Sequence, residues 1–187
     1  MAATLEKRAT EKIYTYEDYA SLPEGAPYQL IEGELVMAAA PLPFHQDIVL
    51  NIAAPLRAFV SANNVGKVYI APIDVYLSDA NTYQPDIIFI AKSRLEIIGE
   101  AKIEGAPDLV VEILSPSTAY YDLKRKKRIY EETGVLEYWI VDPFEKSIEI
   151  YENANGFQLW QQAQEQGAIT SKLLSGFELT LEQVFAF

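Results

Sequence analysis

Two apolar stretches of the chain each carry a single carboxylate. In DLVVEIL (108–114), Glu112 stands among Leu109, Val110, Val111, Ile113 and Leu114, with Pro107 before the run and Pro116 after it. In QPDIIFI (84–90), Asp86 follows Pro85 and precedes Ile87, Ile88, Phe89 and Ile90. Near-continuous apolar runs bracketed by breakers read as strands covered on both faces. Pro85 has no N–H to give to a ladder, so it marks a strand start. A carboxylate in such a run is costly unless something compensates it. If the two strands are neighbours, Asp86 and Glu112 converge, and convergent carboxylates favour a shared divalent cation. The plainer reading of Glu112 is a residue at a sheet end, reaching solvent or paired with a lysine.

The third group is Lys126. Residues 117–134 read as a helix, with Ser117 or Thr118 as its cap and Gly134 as its C-terminal stop. Leu123, Ile129, Tyr130 and Thr133 define its inward arc, and at about 100° per residue Lys126 falls in the middle of it. Lys124, Arg125 and Arg128 fall outside it and Lys127 on its flank. A lysine aimed at the sheet suits phosphodiester chemistry, because it can stabilise charge on an attacked phosphate or help place a water. The alternative is a stem that snorkels along apolar surface.

Composition bounds what these groups can do. The 187 residues are half hydrophobic and contain no cysteine and one histidine, His45. Thiolate metal sites, disulfides, a cysteine nucleophile and multi-histidine zinc sites are excluded. The absence of cysteine fits a cytoplasmic protein, and no apolar run is long enough to span a bilayer. The net charge of −12 weighs against nucleic-acid binding, which ordinarily draws on clustered Lys and Arg. The one basic cluster, KRKKR (124–128), is either a phosphate contact or a solvated helix face.

The remaining elements must position these groups. Residues 1–12 read as a loose tail and 13–187 as one domain. Thr15–Leu22 is a short helix capped by Thr15, with Asp18 completing a capping box. Tyr28–Met37 is a hairpin centred on Gly33, flanked by Glu32 and Glu34. Pro43–Asn63 is an amphipathic helix with His45, Ile48, Val49, Ile52, Leu56 and Phe59 on its buried face, and Pro55 is expected to kink or split it. Lys67–Ile70 and Ile73–Leu77 are strands, the second carrying Asp74 on the face opposite Val75. Leu136–Val141, Ser147–Tyr151, Phe157–Gln162 and a stretch near Ala168–Ser171 continue the sheet, and Thr180–Phe185 closes the chain as a helix. The sum is a mixed α/β or α+β domain with a β-rich C-terminal third.

A proline–aspartate pair, an acid within an apolar strand and a lysine together resemble the PD-(D/E)XK nuclease superfamily. The closer resemblance is to the bacterial Uma-two group of restriction-endonuclease-like proteins. It runs through YQLIEGEL, FHQDIVLNI, PIDVYL, YQPDIIFI, GAPDLVVEILSPST, DLKRKKRIYEETGV and EYWIVDP. The resemblance implies a restriction-endonuclease-like core, a central mixed sheet flanked by helices, and a site for Mg²⁺ or Mn²⁺. Glu34, Asp86 and Glu112 would hold the ion, with Asp86, Glu112 and Lys126 as the catalytic set. The superfamily pattern places lysine two residues after the acid, where Leu114 stands; the matching lysine is Lys126, on the following helix.

Two functions compete. One is a metal-dependent endonuclease acting on DNA, with His45, Asp74 and Gln84 as supporting or substrate contacts. The other is a non-catalytic, acidic homo-oligomeric interaction protein that keeps the nuclease fold, a homodimer being its simplest form. Serine hydrolysis through Ser115 or Ser117 has no nucleophile elbow to support it. The metal reading also carries a stability expectation. Three converging carboxylates repel without metal, so Glu112→Gln would stabilise the metal-free protein, whereas a Glu112 paired with a lysine predicts the opposite.

Overall fold

The computed structural model describes residues 12–38, 40–115 and 121–186, with only the backbone of Asp122. The expected tail, save Lys12, lies outside these residues, as do Pro116 and the proposed caps Ser117 and Thr118.

Helix α1 (Tyr16–Ala20) carries the expected capping box of Thr15 and Asp18. Strands β1 (Tyr28–Ile31) and β2 (Glu34–Met37) form the hairpin. Its two turn residues, Glu32 and Gly33, have φ of +52° and +77°. That double left-handed turn matches the twist of the flanking strands and suits glycine. Helix α2 (Pro43–Asn63) runs through Pro55 as one 21-residue element, so the expected split does not occur, and Asn64 ends it in the left-handed region. Next come β3 (Gly66–Ile70), β4 (Val75–Ser78), β5 (Asn81–Tyr83) and β6 (Ile87–Ala91). A 3₁₀ turn (Lys92–Ile97) leads to β7 (Ile103–Glu104) and β8 (Leu109–Ile113).

The segment after β8 departs from a plain α-helix. A π turn (Tyr121–Lys126) precedes α3 (Lys127–Thr133), which Gly134 ends at φ +93°. The i→i+5 bonding of a π turn shifts the phase of the residues before Lys126. Leu123, expected inside, is therefore exposed, while Lys126 still points inward. The chain finishes with β9 (Glu137–Asp142), β10 (Ser147–Asn153), β11 (Phe157–Gln164), β12 (Ala168–Thr170), β13 (Glu178–Thr180) and α4 (Leu181–Val184).

The central six-stranded sheet has the order β11-β10-β9-β8-β6-β3, parallel only between β8 and β9. Side chains alternate across it. Ile87, Phe89, Leu109, Val111, Ile113, Trp139 and Val141 pack under α2, α4 and the β12–β13 pair. Ile88, Ile90, Val110, Tyr138 and Ile140 face the other way, against α3 and a five-stranded sheet of order β2-β1-β5-β4-β7. The core is thus a mixed sheet flanked by helices, as the sequence leads one to expect. No helix among the described residues is long and apolar enough to cross a membrane.

Two buried carboxylates hold this frame together and leave no sequence signature. Asp108 accepts the Ala91 N–H at 2.7 Å and the Arg94 guanidinium at 3.0 Å, tying β8 to the end of β6. Glu137 accepts the Trp139 indole N–H at 2.6 Å and the N–H groups of Lys172 and Leu173, both at 2.9 Å. Each satisfies its charge with donors that would otherwise be stranded on burial.

Candidate active site

Strands β6 and β8 are antiparallel neighbours with Ile87 opposite Val111. One step further, the same register sets Asp86 across from Glu112. Asp86 lies at the bend just before β6. Its Oδ2 accepts the Ile113 N–H at 2.7 Å, so a side chain continues the ladder where the backbone of β6 has turned away behind Pro85. His45, buried in the first turn of α2, brings Nε2 to 3.4 Å from Asp86 Oδ1.

Glu112 is buried on the opposite side of β8 from Val111 and Ile113. Its Oε1 accepts from Lys126 Nζ at 3.0 Å and from the Tyr130 hydroxyl at 2.7 Å. The side chains of Lys126 and Glu112 are 3% and 4% exposed, so this is a fully desolvated ion pair. Tyr130 packs edge-on against Tyr83, with ring centres 5.5 Å apart, and Lys126 Nζ lies 5.8 Å from the centre of the Tyr83 ring. Sequence reasoning missed both tyrosines. Tyr130 has a usable signal, because it lies four residues after Lys126 and therefore on the same helix face.

Burial, followed by the charge of Glu112, holds the Tyr130 hydroxyl well above the usual tyrosine range. It stays protonated and donates to the carboxylate. Burial also raises Tyr83, while Lys126 pulls the other way. A raised folded value gives a contribution to stability that is complete below the unfolded value of about 10 and lost as pH rises above it. Melting temperatures are therefore expected to fall more steeply above about pH 10 in wild type than in Tyr130→Phe. Parallel curves would remove Tyr130 from this account.

Glu34 and Glu32 belong to a second network. Arg125 donates from Nε to Glu32 and from a terminal nitrogen to Glu34, both at 2.7 Å, and Arg128 also meets Glu32. The Glu32 N–H donates to Asn81 Oδ1 at 2.9 Å, and the Tyr83 hydroxyl reaches the same oxygen at 2.6 Å. Tyr83 feels the charges of Lys126, Glu32, Arg125 and Glu112 together, so the two networks adjoin. The sequence places Arg125 on the outer arc of its helix and gives no sign of this reach. Gln84 and Asp74 meet each other: Asp74 Oδ1 accepts from Gln84 Nε2 and from the Tyr19 hydroxyl, both at 2.8 Å. That triad anchors the segment leading into Pro85 and Asp86.

Four of the five residues of the basic cluster are thereby accounted for. Arg125, Lys126 and Arg128 pair with carboxylates of the chain itself, and Lys127 lies over the Tyr151 ring. Lys124 and Arg128 remain exposed.

The donor set suits a hard cation. Magnesium is commonly held by one or two carboxylates, with water and substrate phosphate completing the shell. Of the carboxylates here, Asp86 and Glu112 are the pair that the β6–β8 register sets opposite each other. Glu34 is not drawn into it: among the described residues no three His, Asp or Glu side chains form a metal-holding group.

A family model, Uma2, described as "Putative restriction endonuclease", matches residues 15–182. An uncharacterized protein of Synechocystis sp. is 25% identical over 154 residues, which cover 80% of this chain and 86% of that protein. Among solved structures, "a putative nuclease belonging to DUF820" from Anabaena variabilis superposes with a TM-score of 0.76 at 20% identity, covering 92% of this chain and 97% of the other. At that identity the likeness speaks for the fold.

Proposed function

The chain belongs to the Uma2 family, and on that premise we propose that it is an endonuclease that hydrolyses DNA phosphodiester bonds with a divalent cation, Mg²⁺ or Mn²⁺. The observation that carries this reading is the Lys126–Glu112 contact at 3.0 Å, with Asp86 one strand away in register. An acid on each of two adjacent strands and a lysine returned by the next helix are the parts that phosphodiester hydrolysis needs.

Asp86 and Glu112 would hold the cation. When bound, it supplies positive charge to the phosphate and lowers the pKa of a coordinated water. The other roles fall to the chain. Asp86 is fixed by the Ile113 N–H, so its second oxygen is presented in one orientation. The stiffness of β8 and the Tyr130 hydroxyl orient Glu112. Lys126 holds its ammonium buried against Glu112, out of water, where charges act more strongly on one another than they would in solvent. His45 borders Asp86 and buttresses it from α2. The Tyr19–Asp74–Gln84 triad steadies the approach to Pro85.

The wild-type protein is expected to cleave DNA in Mg²⁺ or Mn²⁺ and to stop in chelator. Supercoiled plasmid, linear duplex and single strands should be tested in parallel, read by gel. No cleavage of any form with either ion would count against the reading.

One observation favours a second reading, a non-catalytic acidic interaction protein. Arg125, Lys126 and Arg128 of the basic cluster pair with carboxylates of the chain itself, in a chain of net charge −12. That reading predicts no cleavage and no metal-dependent change in stability.

A further inference from the structure

Among the described residues the two large sheets end in four edge strands. These are β2 and β7 in the five-stranded sheet, and β3 and β11 in the central one. β2 carries Glu34, β7 carries Glu104 and β3 carries Lys67, and none of the three is longer than five residues. Shortness and a charged side chain are the usual protection of an edge, because a bare edge presents a row of N–H and C=O groups to any strand that comes alongside. β11 has neither. Its eight residues, FQLWQQAQ, contain no charge, in a chain where 22% of residues are charged. Leu159 and Trp160 stand 51% and 47% exposed on it.

The groups around β11 are already engaged within the chain. Trp160 is the extra residue of a bulge, and the ladder to β10 runs in register on both sides of it, over 157–159 and 161–164. β12 belongs to a separate sheet and reaches β11 through a side chain: Gln161 donates to the Ala168 carbonyl at 3.0 Å and accepts the Thr170 N–H at 2.9 Å. Lys172 lies 4.6 Å from the centre of the Trp160 ring and pairs with Glu152.

We propose that β11 is the edge by which two copies of this chain pair, antiparallel about a twofold axis, joining their six-stranded sheets into one continuous sheet. Charge selects the occupant. At −12, two copies repel each other, and an uncharged edge lets them meet without like charges set opposite one another. A partner drawn to the acidity of the chain would find no charge on β11 to hold. An identical edge matches it in length, polarity and backbone groups. Such a contact is the same patch on both copies, so it closes at two. The pairing is independent of whether the chain cleaves DNA.

Light scattering of the full chain behind size exclusion, over roughly 1–100 μM chain, tests it. The expected wild-type mass at the upper end is twice that of one chain. Raising NaCl from about 0.1 M to about 0.5 M should not weaken the association, because salt screens the repulsion and the paired edges hold no ion pair to lose. Leu159→Glu is expected to raise the dissociation constant about tenfold or more, since the twofold axis brings the two added charges near each other. Gln158→Glu, which changes shape least, should act in the same direction and serves if the Leu159 variant does not fold. Ile70→Glu adds the same charge to β3, at the far edge of the sheet, where the side chain is 44% exposed, and should keep the wild-type mass. A monomeric wild type overturns the proposal. So does a dimer that both β11 variants retain, because the contact would then lie elsewhere. A dimer that Ile70→Glu disrupts as strongly answers only to total charge, and one that salt dissolves is held by ion pairs; either result overturns the proposal as well.

Discussion

Lys126→Ala is expected to destabilise the protein by about 3–5 kcal/mol, the usual loss when one partner of a buried ion pair is removed. In a chain of this size that corresponds to a fall in Tm of roughly 6–20 °C. The cause is what remains: buried Glu112 would keep its charge after losing the ammonium, with the Tyr130 hydroxyl among its remaining donors. Glu112→Gln should cost a similar amount, because buried Lys126 then loses the carboxylate charge beside it. The double variant Glu112→Gln with Lys126→Met should recover most of the loss, since a buried pair replaced by groups of similar volume is often close to neutral. Thermal melts of the four proteins in chelator decide this. A double variant no more stable than either single one would mean that packing, not charge, sets the cost.

This result reverses the sign expected when three carboxylates repel without metal. The 3.0 Å contact to Lys126 offsets Glu112 before any cation arrives. Loss of stability in Glu112→Gln therefore no longer separates a working site from a structural one, because Lys126 serves both. Activity has to separate them.

Lys126→Met is the second large expected effect, on rate. If the ammonium acts on charge developing at the phosphate, cleavage should fall by about 10²-fold or more. Measured below the melting temperature of the variant, with circular dichroism to confirm the fold, the rate is separated from the stability loss above. Lys124→Ala is the control, since Lys124 lies on the exposed side of the π turn. Equal losses in the two variants would mean that the segment supplies only general positive charge.

The parts of this site that were legible in the sequence are those written in local pattern. Asp86 and Glu112 stand out because an acid interrupts an apolar strand, and Lys126 because helical phase places it among inward residues. Hairpin, capping box and Gly134 stop were legible for the same reason: each depends on two to four adjacent residues. Strands β5, β7 and β13 were not, because each is only two or three residues long and carries too little of an alternation to mark it. The π turn was invisible too, and with it the exposure of Leu123, since the wider bonding leaves no mark in residue type. What local pattern could not carry at all was long-range reach. Arg125 crosses to Glu32 and Glu34 over 93 and 91 positions of sequence, and Glu137 gathers N–H groups from Lys172 and Leu173, 35 and 36 positions away. Those contacts exist only once the hairpin lies beside the helix and the C-terminal segment has folded back.

The central claim is that Asp86 is needed for metal-dependent cleavage and not merely for the fold. Asp86→Asn tests it with least disturbance, because the amide oxygen can still accept the Ile113 N–H that the carboxylate holds at 2.7 Å. The measurement is the rate of plasmid cleavage in Mg²⁺ by wild type and by Asp86→Asn, each with its Tm. The account predicts a rate lower by about 10²-fold or more in the variant, with Tm within a few degrees of wild type. Cleavage by Asp86→Asn at the wild-type rate would contradict it.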